Sequence, residues 1–266
     1  MPIKNTIETF LYNPIVLVLF TPFSYLLIGT LYAVQYVPLN IGKFIAFYLL
    51  LFVNYCIENY LKKHSFLNKS ELKGPFYLME LMNILLIAFL SFQSHYSIAL
   101  LIILYSLIIH FQQVLKDNQF PIVAVLILGI FKGGMLTYLS FFIQAQFLPL
   151  ILIVWSTPLV ILHLFIEIGS YLAEKKSPRV AIGQSYILVT LLIFIYLSTG
   201  LFLYSTFRMG LFLFILTLPL AIRLARLFIT HSWKDSKSVT LKTFRLFQLL
   251  YTVIFIFAEV LYFANL

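Results

Sequence analysis

The chain has 266 residues, of which 62% are hydrophobic and only 10% charged, with a net charge of +9. Soluble domains carry about 25% charged residues, so a chain with a mean hydropathy of +1.01 is too apolar to cover itself in water. The composition excludes a soluble enzyme. The basic excess lies in short loops beside apolar runs and forms no basic domain or base-stacking motif, so nucleic acid is excluded as a partner as well.

In chain order, MPIKNTIETFLYNP is mixed in character and does not read as a cleavable signal. Nine apolar runs follow, at 14–37, 41–61, 75–94, 96–113, 120–143, 147–172, 184–206, 209–231 and 242–264. Each is near the roughly 20 residues that a helix needs to cross a bilayer. Breakers and polar residues separate them: Pro38 and Asn40, Gly74-Pro75, Asp117-Asn118, Pro149, Ser177-Pro178, and the stretch 232–238. The runs are continuous rather than alternating, which argues against a β-barrel. The expected fold is all-α: a polytopic bundle of nine transmembrane helices forming one integral membrane domain over 1–266.

Basic residues set the expected orientation, because cytoplasmic loops are rich in Lys and Arg. A cytoplasmic N-terminus puts fourteen of the 18 Lys and Arg residues on its side: Lys4; Lys62, Lys63, Lys69 and Lys73; Lys116; Lys175, Lys176 and Arg179; Arg226, Lys234, Lys237, Lys242 and Arg245. Only Lys43 and Arg208 fall on the other side, while Lys132 and Arg223 lie within spans. The N-terminus is expected inside.

The most informative stretch is LFVNYCIENYLKK at 51–63. Asn54, Glu58 and Lys62 are spaced i, i+4, i+8 and lie down one side of the second helix. A carboxylate inside an apolar run costs about 2.5–3.5 kcal/mol unless it meets a partner or a cavity. Glu80, Glu167 and Arg223 fall at comparable depths in their own helices, with Asn83 and His163 a turn deeper and Lys132, in GIFKGG, nearer mid-span. A shared cavity open to the cytoplasm would explain that common level. The alternative to that economical account is a set of internal ion pairs, Glu58 or Glu167 with Lys132 or Arg223, holding helices together. Other chemical signatures are absent: there is no P-loop, dinucleotide fingerprint or nucleophile elbow. The lone cysteine, Cys56, excludes a cysteine metal site.

This layout resembles the UbiA-type superfamily of intramembrane prenyltransferases, which have nine helices and an active site between two Asp-rich segments. The first family segment, N-D-x-x-D-x-x-x-D, aligns with Asn54 to Lys62; Asn54 matches, Glu58 is a conservative carboxylate, and Tyr55 and Lys62 depart. The second, D-x-x-x-D followed by a G-K-x-T-x-x-V-x-x-G-like run, is similar to Glu174–Gly183, with Lys175, Ser177, Val180 and Gly183 in register. Its two Asp positions fall on Ile166 and Ser170, with Glu167 one residue away. The stretch Phe111–Lys116 stands where the family has a Y-S-x-x-x-K-like loop.

The resemblance implies transfer of an isoprenoid from a prenyl diphosphate to an acceptor. Glu58 and Glu167 would be the catalytic carboxylates and ligands of Mg²⁺, and Asn54, Lys62, Lys116, Lys175 and Arg179 would hold the diphosphate. Because only Glu58 stands at a family metal position while Lys62, Lys116, Lys175, Lys176 and Arg179 surround the mouth, a second expectation is a non-catalytic isoprenoid-lipid-binding protein or accessory subunit. Lysine can bind a diphosphate as a point charge without a metal. A third, from outside the family, is a small ion-coupled transporter using Glu58, Glu80 and Lys132.

Overall fold

A computed structural model of the chain describes residues 13–62, 74–117, 120–174, 181–230 and 237–264. Among the described residues there are helices and no strand. They are α1 Pro14–Val34, α2 Ile41–Leu61, α3 Gly74–Gln93, α4 Tyr96–Asp117, α5 Pro121–Ile130, α6 Leu136–Ala145, α7 Ile151–Glu174, α8 Ala181–Phe207, α9 Leu218–Ile229 and α10 Lys237–Ala264. Nine helical spans among the described residues are long and apolar enough to cross a membrane. The protein reads as an integral, multi-pass membrane protein, in keeping with Phe92 at 91% and Leu150 at 81% exposure.

Two spans are not the uninterrupted α-helices that their hydropathy predicts. The span expected at 120–143 is α5, a π-helical turn at Phe131–Met135, and α6. The turn contains Gly133 and Gly134, which lower the cost of leaving α geometry, and the Thr137 hydroxyl donates to the carbonyl of Gly133 at 3.1 Å. The span expected at 209–231 starts as a 3₁₀ helix, Arg208–Thr217, and becomes α only at α9. Pro219 has no N–H and stands in the first turn of α9, where a backbone N–H would have no intrahelical partner anyway. Arg208, at the junction, has a left-handed φ of 40°.

The chain divides into two compact units, residues 25–152 in one, and 1–24 with 153–266 in the other. In the first, α2 packs on α3, α4 and α6, and α4 on α5. Asn40 caps α2, its side chain accepting from the Lys43 N–H at 3.1 Å. Gly29 of α1 lets two backbones touch: a Cβ there would lie 2.1 Å from the Thr137 carbonyl oxygen. α3 buries only Phe76, Asn83 and Leu90, one narrow stripe at seven-residue intervals. The rest of α3 is half-buried or exposed.

In the second unit, α10 packs on the 3₁₀ segment, α8 and α9. Trp155 packs against a tilted Phe207 ring at a centroid distance of 4.9 Å and meets Phe255 and Tyr262 edge-on. Gly169 accommodates the Phe244 ring, which would lie 2.2 Å from a Cβ at that position. Gln248 donates to the Ser24 hydroxyl at 2.7 Å.

Candidate functional site

The polar groups of the first unit gather around α2. Asn54 and Glu58, one turn apart, are 0% and 2% exposed. The Glu58 carboxylate receives the Lys132 ammonium on both oxygens, at 3.0 and 2.9 Å, and the Lys62 ammonium on Oε1 at 2.9 Å. Lys132 is itself buried at 3% exposure, whereas the Lys62 side chain is 27% exposed. Among the described residues, one carboxylate is thus shared by two ammonium groups. The π turn that carries Lys132 brings it to Glu58, although sequence depth alone places the lysine nearer mid-span.

A ladder of neutral groups runs from the same helix. The Asn54 amide donates to the Leu50 carbonyl at 3.0 Å and to Asn83 Oδ1 at 2.8 Å; the Asn83 amide donates to Ser106 Oγ at 2.7 Å. Glu80, one turn from Asn83, meets His110 Nε2 instead of Glu58 or Lys132. The level shared by Glu58 and Glu80 therefore resolves into a three-member cluster and a separate pair with an amide–hydroxyl ladder between them, rather than one open cavity. Asn54, expected to touch a diphosphate, is enclosed among α2, α3 and α4 by these bonds. Lys116 sits half-buried in the last turn of α4, where it complements the helix dipole.

In the second unit, His163 and Glu167 are spaced i, i+4 on α7 and are 2% and 8% exposed. Arg223, expected inside a cavity, lies on the outer face of α9. With Arg226, Ile222 and Thr230 it lines a shallow groove of about 370 Å³. Lys175 and Arg179 lie outside the described residues.

Mg²⁺ needs several oxygen ligands, usually one or two carboxylates with phosphate and water. Among the described residues no group of three or more His, Cys, Asp and Glu stands together. A Mg²⁺ ion at Glu58 would have to displace both ammonium groups, so this donor set fits an anion better than a hard cation.

Two residues escaped the sequence argument. His110 has no metal-ligand spacing, and only the packing of α4 on α3 gives it a carboxylate. Glu259, on α10, is 0% exposed, and neither of its oxygens has a hydrogen-bond partner among the described residues. It shares the helix face of Phe255 and Tyr262 by its i+4 and i−3 spacing. Its presence in a span was readable in the sequence, but its isolation was not. No protein-family profile matches the sequence, and no curated protein matches it.

Proposed function

We propose that the protein binds the phosphate end of an isoprenoid lipid at the cytoplasmic end of α2, as a divergent UbiA-like protein whose carboxylate-based metal site has been replaced by a cationic one. The observation carrying this reading is the Lys62–Glu58–Lys132 cluster, with two ammonium groups on one carboxylate. Family chemistry needs carboxylates in excess, so that metal ions can neutralise a departing diphosphate. Here, among the described residues, two ammonium groups meet one carboxylate, and ammonium groups favour a phosphate directly. The partly exposed Lys62 is the group from which a phosphate would gain most.

A second reading, prenyl transfer with Glu58 and Glu167 as the acidic pair and Mg²⁺ as cofactor, is favoured by the burial of Glu167 at 8% exposure. Glu58→Gln separates the two readings by sign. If the cluster holds phosphate, removing the negative charge tightens farnesyl diphosphate binding and leaves it insensitive to EDTA. If Glu58 holds a metal, the same change abolishes product formation.

The measurement uses the purified full chain in nanodiscs, with farnesyl diphosphate and farnesol as paired ligands. The diphosphate is expected to bind at least about tenfold more tightly, a difference of about 1.4 kcal/mol. Lys62→Gln with Lys116→Gln weakens it and flattens its salt dependence. Equal affinity for the alcohol overturns the phosphate reading. Mg²⁺-dependent turnover across a panel of acceptors replaces it with the transferase.

A further inference from the structure

The Glu80–His110 pair opens on a groove that the phosphate cluster does not use. The groove lies between α3 and α4, has a volume of about 450 Å³, and is lined at one end by Glu80, Asn83, Ser106 and His110. Its remaining wall is apolar, with Ile84 61%, Ile103 45% and Leu107 48% exposed on the outer surface. In a bilayer those side chains face lipid. The volume lies within the range of about 300–1,000 Å³ typical of small-molecule sites.

Hydrogen-bond polarity defines the charge of the pair. His110 Nδ1 is 2.6 Å from the Ser106 backbone carbonyl, which can only accept, so Nδ1 carries a hydrogen. One further proton then lies between Nε2 and Glu80 Oε1. Whichever atom holds it, imidazole and carboxyl together are neutral. The second Glu80 oxygen, Oε2, makes no hydrogen bond among the described residues, and its side chain is 23% exposed. The Ser106 hydroxyl oxygen accepts from the Asn83 amide, which leaves its own hydrogen to donate. The polar end therefore offers one carboxyl acceptor, one hydroxyl donor and no net charge. A charged headgroup would find nothing to compensate it at this depth, whereas a neutral donor completes the pair.

We propose that this groove binds a single-chain lipid with a neutral hydroxyl head. The hydroxyl donates to Glu80 Oε2, and the chain lies along Ile84 and Ile87 on α3 and Ile103 on α4. From Glu80 to Ala88 the groove follows α3 for about 12 Å at 1.5 Å per residue, enough to hold the first part of a long alkyl or isoprenoid chain. The site is independent of the phosphate cluster, so either can fail without the other.

The test uses the purified full chain in nanodiscs and a long-chain alcohol carrying a mid-chain diazirine, paired with its methyl ether. The two probes partition alike and differ only in the hydrogen-bond donor. On photolysis the alcohol should label residues 84–88 and 103–107 about tenfold more than the ether, the net worth of one good hydrogen bond. Glu80→Leu should bring the alcohol down to the level of the ether. Ile84→Trp, a lipid-facing change that fills the groove without touching its polar end, should abolish alcohol labelling with the thermal melt unchanged. Equal labelling by the two probes, a preference that survives Glu80→Leu, or labelling undiminished by Ile84→Trp would overturn the proposal.

Discussion

Lys132 and Glu58 hold opposite charges deep in one unit, and each makes the other tolerable there. Breaking a buried pair from one side leaves a stranded charge and costs about 3–5 kcal/mol, while replacing both partners by apolar groups is often neutral or stabilising. Lys132→Met should therefore lower the melting temperature sharply, and Glu58→Met added to it should restore the wild-type value or exceed it. Lys62→Gln should cost under about 1 kcal/mol, because that ammonium is partly solvated and its attraction screened. Melts of the three variants in one detergent decide this; a Lys132→Met protein as stable as wild type would remove the pair from the fold. The sequence made this pairing readable as a possibility, since Glu58 and Lys132 were both evident charges in apolar runs. It could not show that Glu80 would turn instead to His110, because that depends on which faces of α3 and α4 meet.

Among the helices, close approach is set by glycine at some positions and left open at others. A methyl group at Gly29 would fall 2.1 Å from a backbone oxygen of α6, and a backbone cannot step aside as a side chain can. Gly29→Ala should therefore destabilise the protein by about 1–3 kcal/mol, as overpacking does. Gly200 on α8 has nothing within 4 Å of its would-be Cβ, so Gly200→Ala should be neutral or raise stability by up to about 1 kcal/mol through helix propensity. The sign difference between these two substitutions in a thermal melt is the check. The spans themselves were legible because twenty-odd apolar residues in a row admit few alternatives. Their interior geometry was less so: hydropathy is blind to whether a turn is α, π or 3₁₀. The cues were single residues, Gly133-Gly134 and Pro219, whose effect depends on what packs beside them.

For the whole molecule, the proposed orientation places residues 62–74, 114–119, 173–183 and 232–241 in the cytoplasm, following the distribution of Lys and Arg. Single cysteines introduced into those loops, in a Cys56→Ser background, should react with a membrane-impermeant maleimide only after the membrane is opened. Labelling of the 173–183 loop in intact cells would reverse the topology. Nine spans were legible because each must satisfy its own backbone within lipid. The division into two compact units was not, since no polar linker marks it and the boundaries fall inside α1 and α7.

The 3₁₀ segment before α9 has a consequence for hydrophobic matching. At about 2.0 Å per residue, against 1.5 Å in an α-helix, ten residues of 3₁₀ helix reach about 5 Å further than the same residues wound as α. The span Gly210–Ile229, only 20 residues long, thereby exceeds the hydrocarbon thickness of about 30 Å. The added reach carries Arg223 and Arg226 about one helical turn closer to the headgroups. A tighter backbone upstream allows two arginines to stand on an outward face downstream without stretching the apolar sequence.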